Sequence, residues 1–372
     1  MSLDSLIKSI NKRYGTDSMI QASKSKGLRR KSRLQTGILA LDLAMGGGIP
    51  LGTIVTLKGE FSSGKSALAH RIGASFNRHC RNCGSPMQIW QESLQDGAHV
   101  VCCEDPDAMK VVWLDAEASF QSDWAEMLGM QMDNTYVLRN QFAEQAVDAA
   151  DAILRSGACD LLIVDSVAAL TPSVEIEQSS EKWQVGVHAR LMNKAMRKWV
   201  SAQNGYDHDK RSPTIILINQ IRMKVGVIYG SPETSPGGKG MDFASSVILK
   251  VKRKGYIEDP NGASPFGQNI EVVVQKNKTA PPNKSCLFSL FFRDNEHYVA
   301  GATNIAEQIL AIAEYWGFVK RSGSWFEIGD QKYQGAINAG NALLCDLDKM
   351  QDLKDKIFDK EVNWLGGADS DA

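Results

Sequence analysis

The stretch Gly59-Glu60-Phe61-Ser62-Ser63-Gly64-Lys65-Ser66 has the spacing of a phosphate-binding loop. Its glycines let backbone N–H groups converge on phosphate oxygens. Lys65 adds a cation that reaches the terminal phosphates, and the Ser66 hydroxyl is a ligand for Mg²⁺. Such a loop serves the binding and hydrolysis of a nucleoside triphosphate. Two carboxylates stand where hydrolysis needs them. Asp165 closes the apolar run Leu161-Leu162-Ile163-Val164, the position from which an acidic group holds the Mg²⁺ shell. Glu117 follows the short apolar run Val111 to Leu114 and is suited to orient and deprotonate an attacking water. A carboxylate at a strand end also serves as a helix cap or a surface charge, so neither residue carries the reading alone. Beside a phosphate loop, the two carry it together.

A second group of residues could do different chemistry. Cys80-x-x-Cys83 followed by His99-x-x-Cys102, or with Cys103 as the last ligand, has metal-ligand spacing. Four nitrogen or sulfur donors satisfy tetrahedral Zn²⁺. The bland alternative is a set of reduced cysteines in a surface loop. If zinc binds here, the expected role is a structural knuckle that stabilises an excursion of roughly 30 residues, too small to build its own core.

The elements that must position these groups alternate along the chain. Thr53 to Lys58 is β-branched and apolar and runs into the Gly/Ser loop, and a helix begins near Lys65. Val111 to Leu114 is a second short strand. Phe142 to Leu154 has helical periodicity and feeds the strand Asp160 to Asp165. Val187 to Val200 is a further helix, leading to the strand Thr214 to Asn219. Short buried strands alternating with helices predict an α/β fold with a mainly parallel central sheet, covered on both faces, and functional groups at the strands' carboxyl ends.

Before this core, Leu3, Leu6, Ile7, Ile10 and Tyr14 recur at helical spacing and predict a short amphipathic helix. After it, from about Ala300, come a helix from Ile305 to Trp316, a hairpin-like stretch around Ser322 to Lys332 and a charged helix ending near Asp359. The expected organisation is an N-terminal amphipathic helix that needs a partner surface and a linker over 1–33, a core over 34–299 with a cysteine-rich insert over 78–110, and a small α+β domain and tail over 300–372.

Composition bounds the function classes. The chain has 372 residues, 43% apolar and 23% charged, which is ordinary for a globular protein and excludes a largely disordered one. Its longest apolar runs fall far short of the ~20 residues that span a bilayer, so no membrane association is expected. An odd count of seven cysteines fits a reduced, cytoplasmic chain better than a secreted disulfide framework. The net charge of −1 does not advertise a nucleic-acid binder, so any contact with DNA must come from local patches.

Four segments combine into a family pattern: Asp115-Ala116-Glu117, the run Leu161 to Ala169 (LLIVDSVAA), Asn219-Gln220-Ile221-Arg222-Met223-Lys224, and Lys276-Asn277-Lys278. In this order and spacing the chain resembles the bacterial and phage RecA family of recombinases from about Ile10 to Lys360, with the cysteine-bearing insert as an interruption. The resemblance implies a RecA-like P-loop ATPase core. The implied activity is that of a DNA-dependent ATPase that forms a helical homo-oligomeric filament on single-stranded DNA. Such a filament pairs the strand with double-stranded DNA and exchanges strands in recombination, repair and the response to DNA damage.

By the same resemblance Glu117 is the catalytic base, Gln220 senses the γ-phosphate, and Trp124 stacks on adenine. Lys276 and Lys278 reach the nucleotide of the neighbouring subunit. Two loops, Gln178 to Val185 and Ile221 to Pro236, face DNA. In the second, Gly226, Gly230, Pro232 and Pro236 prevent a regular element, and Arg222 and Lys224 offer phosphate contacts. Met223, Val225 and Ile228 are suited to wedge between bases and Tyr229 to stack. Arg190, Lys194 and Arg197 share one helical face between the loops, and Arg190 and Arg197 are expected to join the DNA contact. The N-terminal helix resembles the segment that docks on the next subunit, an open head-to-tail contact that gives filaments.

Glu60 and Phe61 depart from the family's phosphate loop, and the acidic tail is short, with Asp369 and Asp371 only. Two other functions share this core: a regulatory ATPase that binds DNA without exchanging strands, and a hexameric helicase. Glu117, Gln220, both lysines and both loops argue against a degenerate, non-catalytic relative, and strand-pairing assays beside a blunt-duplex unwinding control separate the recombinase from the helicase.

Overall fold

The computed structural model describes residues 2–15, 18–19, 21, 32–87, 102–140, 142–177, 186–204, 212–223, 233–234, 236–259, 262 and 264–362. Within them, α1 (Leu3–Tyr14) is capped by the Ser2 side chain and buries none of its residues. A short pair, β1 (Arg33–Leu34) and β2 (Ile49–Pro50), brackets α2 (Leu39–Met45). The alternating core follows: β3 (Ile54–Gly59), α3 (Lys65–Asn77), β4 (Val111–Asp115), α4 (Ser122–Met127), β5 (Thr135–Leu138), α5 (Ala143–Ser156) and β6 (Leu161–Asp165). It continues through α6 (Ser173–Glu177), α7 (Val187–Asn204), β7 (Thr214–Gln220), the pair β8 (Arg222–Met223) and β9 (Glu233–Thr234), and α8 (Lys239–Ala244). Three long strands, β10 (Val247–Ile257), β11 (Gly267–Asn277) and β12 (Ser285–Phe291), complete the sheet.

The sheet runs β12-β11-β10-β3-β7-β6-β4-β5. The six strands from β10 to β5 are parallel, and β11 and β12 add antiparallel to one side. The strands of the parallel part are apolar throughout because both faces are covered. In β6, Leu161 and Ile163 point into one apolar cluster with Leu68, Ile72 and Phe76 of α3. Leu162 and Val164 point the other way, to Val147 and Leu154 of α5 and Met196 and Trp199 of α7. The expected α/β fold with a mainly parallel sheet is present, and the carboxyl ends of β3, β4, β6 and β7 lie side by side.

The C-terminal part is a third apolar cluster. It contains α9 (Ile305–Tyr315), a meander of β13 (Lys320–Ser322), β14 (Trp325–Ile328) and β15 (Gln331–Gln334), then α10 (Ala336–Cys345) and α11 (Leu347–Glu361). The expected hairpin is thus three strands, and α10 is an element that the sequence did not announce. Leu39 and Leu43 of α2 reach into this cluster, and Gln308 of α9 accepts a hydrogen bond from the Ala40 N–H at 3.0 Å, so it is seated on the core. Among the described residues no helix is long and apolar enough to cross a membrane.

Candidate functional site

The phosphate loop lies between β3 and α3, as its spacing requires. Gly64 caps α3 at φ +93°, and Ser62 also takes a left-handed conformation at φ +55°. The loop needs glycine at both ends for different reasons, at Gly59 because backbone closes over it and at Gly64 because its φ is left-handed. A Cβ on Gly59 would stand 2.4 Å from the Val251 carbonyl oxygen, and one on Gly64 would stand 2.6 Å from Gln268 Nε2. The Lys65 ammonium is folded onto the loop and donates to the Glu60 carbonyl at 2.6 Å. Burial draws its pKa down, against the pull of the Asp165, Glu117 and Glu60 carboxylates. Phe61, by contrast, is 87% exposed at the loop's outer edge.

The acidic groups sit on the neighbouring strand ends. Asp165 is buried and bonds the Ser66 hydroxyl; burial pushes its pKa up to about 6, with Glu117 and Asp115 adding to the rise and Ser66 and Lys65 opposing it. The peptide bond that follows it, Asp165–Ser166, is cis. A buried carboxylate beside a hydroxyl and an ammonium suits a Mg²⁺ shell, because a divalent cation supplies the charge that burial withholds. Asp115 is a fastener. Its carboxylate accepts the N–H groups of Ser119 at 2.9 Å and Phe120 at 3.2 Å and pairs with Arg139 at 2.9 Å. This pins the turn that carries Glu117, and the Ala116 N–H donates to the Asp165 carbonyl at 2.8 Å, tying the ends of β4 and β6.

Glu117 lies at the junction of these parts. Its Oε1 accepts from Ser166 Oγ at 2.5 Å and from Gln220 Nε2 at 3.4 Å. Gln220 ends β7, and the next residue, Ile221, donates its N–H to the Gly59 carbonyl at 3.0 Å. Phosphate loop, carboxylates and glutamine are therefore joined by main-chain bonds within one cluster.

Beside the loop opens a cleft of about 320 Å³, lined by Ser62 to Ala67, Trp124, Tyr256, Gln268 and Phe292. Trp124, on α4, packs against Phe292, with ring centroids 5.9 Å apart and planes at 48°. Phe292 was not among the residues the sequence pointed to. It follows β12, and nothing local links it to Trp124. Tyr256 was missed too; Arg253 lies 4.7 Å over its ring, donates to its hydroxyl at 2.6 Å and touches the Ser62 carbonyl at 3.5 Å. Ser166 is a third residue the motif reading passed over.

Lys276 and Lys278 do not enter this cleft. They donate to carbonyls at the end of α8, Lys276 to Asp242 at 2.5 Å and Lys278 to Phe243 at 3.1 Å. Partial burial, with Lys278 alongside, lowers the Lys276 pKa.

Of the expected DNA contacts, Arg190, Lys194 and Arg197 are exposed on one face of α7, opposite buried Met192, Met196 and Trp199. The loop Ile221 to Pro236 is closed at its base by the pairing of Arg222 with Thr234 and of Met223 with Glu233, and Asn219 Nδ2 donates to the Pro236 carbonyl at 2.9 Å. Lys224, Val225, Ile228, Tyr229 and the loop Gln178 to Val185 lie outside the described residues, as does His99. Away from the phosphate site, the sulfurs of Cys80, Cys83, Cys102 and Cys103 all lie within 4.8 Å of one another.

Comparison with known proteins agrees with this arrangement. A family model described as the RecA N-terminal domain matches residues 1–85 and 96–296. The chain is 36% identical over 344 residues to the protein named Protein RecA in Ruegeria pomeroyi, covering 92% of this chain and 87% of that one. It is 36% identical over 362 residues to Protein RecA of Rhodococcus jostii, with 96% and 92% covered, and 36% identical over 359 residues to that of Sulfurimonas denitrificans, also with 96% and 92% covered.

Proposed function

Because this chain belongs to the RecA family, we propose that it is a DNA-dependent ATPase that assembles as a filament on single-stranded DNA and drives homologous pairing and strand exchange in recombination and repair. The observation that carries the reading is Glu117: one carboxylate that touches the residue after Asp165 and the glutamine that opens the loop at Arg222.

In this reading the backbone N–H groups of the phosphate loop and Lys65 hold the ATP phosphates, and Ser66 and Asp165 hold Mg²⁺. Mg²⁺ held by Ser66 and Asp165 would supply positive charge to offset that of the β- and γ-phosphates. Glu117 orients the attacking water and takes its proton at Oε1 or Oε2. Gln220 reports the γ-phosphate to the loop that begins at Ile221. Lys276 and Lys278 of one subunit reach the nucleotide of the next, so that ATP sits between subunits and hydrolysis is linked to filament state. The apolar stripe of α1, unburied in its own chain, is the docking element for that neighbour. Arg190, Arg197, Arg222 and Lys224 contact DNA phosphates, while Met223, Val225 and Tyr229 contact bases. The setting proposed is the cytoplasm, where double-stranded DNA is the partner searched for homology.

The test is ATP hydrolysis by the purified chain with no DNA, with single strands and with duplex, beside a strand-exchange assay. Strong stimulation by single strands together with exchange is the expected outcome. Hydrolysis indifferent to DNA would leave a regulatory ATPase, and unwinding of a blunt duplex without exchange would leave a helicase.

Trp124 and Phe292, packed on each other, form one wall against the adenine ring in this reading. Trp124→Ala is expected to raise KM for ATP roughly 2–10-fold with kcat little changed, because an aromatic stack contributes about 0.5–1.5 kcal/mol beyond its area. Steady-state kinetics with saturating single-stranded DNA would read this, and an unchanged KM would remove Trp124 from the site.

A further inference from the structure

The cysteine-rich excursion leaves the core between the end of α3 and the start of β4. Its two limbs are zipped at the neck. Cys80 bridges Ala108 across the two limbs, while His79 pairs with Pro86 within the first. The Met109 N–H donates to the His79 carbonyl at 3.0 Å, the Arg81 N–H to Asp107 at 2.7 Å, and Asn82 Nδ2 to the Asp105 carbonyl at 2.6 Å. Arg81 then fastens the neck to the core through Asp160 at 3.4 Å and the Gly157 carbonyl at 2.8 Å.

At the far side of this neck the four sulfurs converge. Cys80 Sγ and Cys103 Sγ are 3.7 Å apart, and Cys102 Sγ and Cys103 Sγ 3.9 Å. Sulfurs bound at about 2.3 Å around a tetrahedral zinc ion lie about 3.8 Å from one another. The spacing is far beyond the roughly 2.05 Å of a disulfide. The turn is also built for thiolates. Gly84 sits at φ +79°, its N–H closes the Cys80–Gly84 turn on the Cys80 carbonyl at 2.7 Å, and the next N–H, of Ser85, points to Cys83 Sγ at 3.5 Å. A left-handed glycine directly after the second cysteine lets the chain fold back and aim amides at sulfur.

We propose that Cys80, Cys83, Cys102 and Cys103 bind one structural Zn²⁺ through four thiolates, with both adjacent cysteines as ligands and His99 not required. The sequence spacing left Cys102 and Cys103 as alternatives; the geometry takes both. A closed four-thiolate site has no open position for substrate, so the ion's role is mechanical. It clips the mouth of a long excursion, which is where a cross-link removes most chain entropy. The neck it closes joins the helix that begins at Lys65 to the strand that leads to Glu117. The clip therefore isolates the register of the ATPase core from whatever the excursion does.

The test uses the full-length chain, purified reduced and without chelators. Elemental analysis should return about one zinc per chain. Replacement by Co²⁺ should give the intense ligand-field and thiolate charge-transfer absorption of a tetrahedral four-sulfur site. Cys83→Ser and Cys102→Ser should lose the metal, while His99→Ala and Cys345→Ser should keep it. No zinc after incubation with Zn²⁺ and no cobalt spectrum in the unaltered reduced protein would overturn the site. Metal loss in His99→Ala as complete as in Cys102→Ser would overturn the four-sulfur ligand set. Neither readout depends on ATP hydrolysis, so the site stands or falls apart from the recombinase reading.

Discussion

Glu117→Gln is expected to leave ATP and single-stranded DNA binding within about twofold of the unaltered chain and to slow hydrolysis roughly 10²–10⁴-fold, the usual contribution of a positioned general base. The substitution keeps the shape of the side chain, and its carbonyl oxygen can still accept the Ser166 hydroxyl, which lies 2.5 Å from Glu117 Oε1. What it removes is the ability to take a proton from water. The turn that holds residue 117 should survive, because Asp115 fastens it through Ser119, Phe120 and Arg139 without using Glu117. Single-turnover hydrolysis beside filter binding separates chemistry from affinity. A variant that binds both ligands and hydrolyses at the original rate would exclude Glu117 as the base, and the water would have to be activated elsewhere.

Much of this site was legible in the sequence, for identifiable reasons. A phosphate loop works through backbone geometry, so glycines at fixed spacing are themselves the signal, and the backbone closing over Gly59 and the left-handed φ of Gly64 explain why glycine stands at both. Strands β6 and β7 read clearly because parallel strands covered on both faces are apolar without interruption. Strand β5 did not, since it is an edge strand whose Tyr136 and Val137 are exposed. Strands β10 and β11 were also missed. Both carry charged residues along their length, Lys252, Arg253 and Lys254 in β10 and Glu271 and Lys276 in β11, and they pair antiparallel with each other. Helix α10 buries Ala339, Gly340 and Leu343, small residues that give little periodic contrast.

Contacts distant in sequence were the other blind spot. Phe291 and Phe292 are neighbours at a strand end, yet one stacks on Tyr298 at 4.7 Å and the other meets Trp124 across the cleft. No local pattern tells which does which. The cysteines show the same limit: spacing named the candidates, and only the pairing of residues 79–82 with 105–109 brings both Cys102 and Cys103 to Cys80.

Gln220→Ala is expected to keep the DNA-free rate of hydrolysis within a fewfold and to lose most of the stimulation by single-stranded DNA. The loss should be about 5–150-fold, the range of an allosteric coupling of 1–3 kcal/mol. The side chain is the direct polar link from Glu117, through Nε2 at 3.4 Å, to the segment that opens into the Arg222 loop. The main chain there is secured separately, by the Ile221 N–H on Gly59 and by Asn219 on Pro236, so the loop base should remain when the amide is gone. Ala removes the messenger and leaves the frame. Coupling is reciprocal for binding, so the same variant should also lose the strengthening of DNA affinity by a non-hydrolysable ATP analogue. DNA titrations with and without that analogue, beside the hydrolysis assay, read both halves. Stimulation retained in full would mean that the main-chain bond between Ile221 and Gly59 carries the signal by itself. Loss of basal hydrolysis equal to the loss of stimulation would instead make Gln220 part of the water-activating group with Glu117.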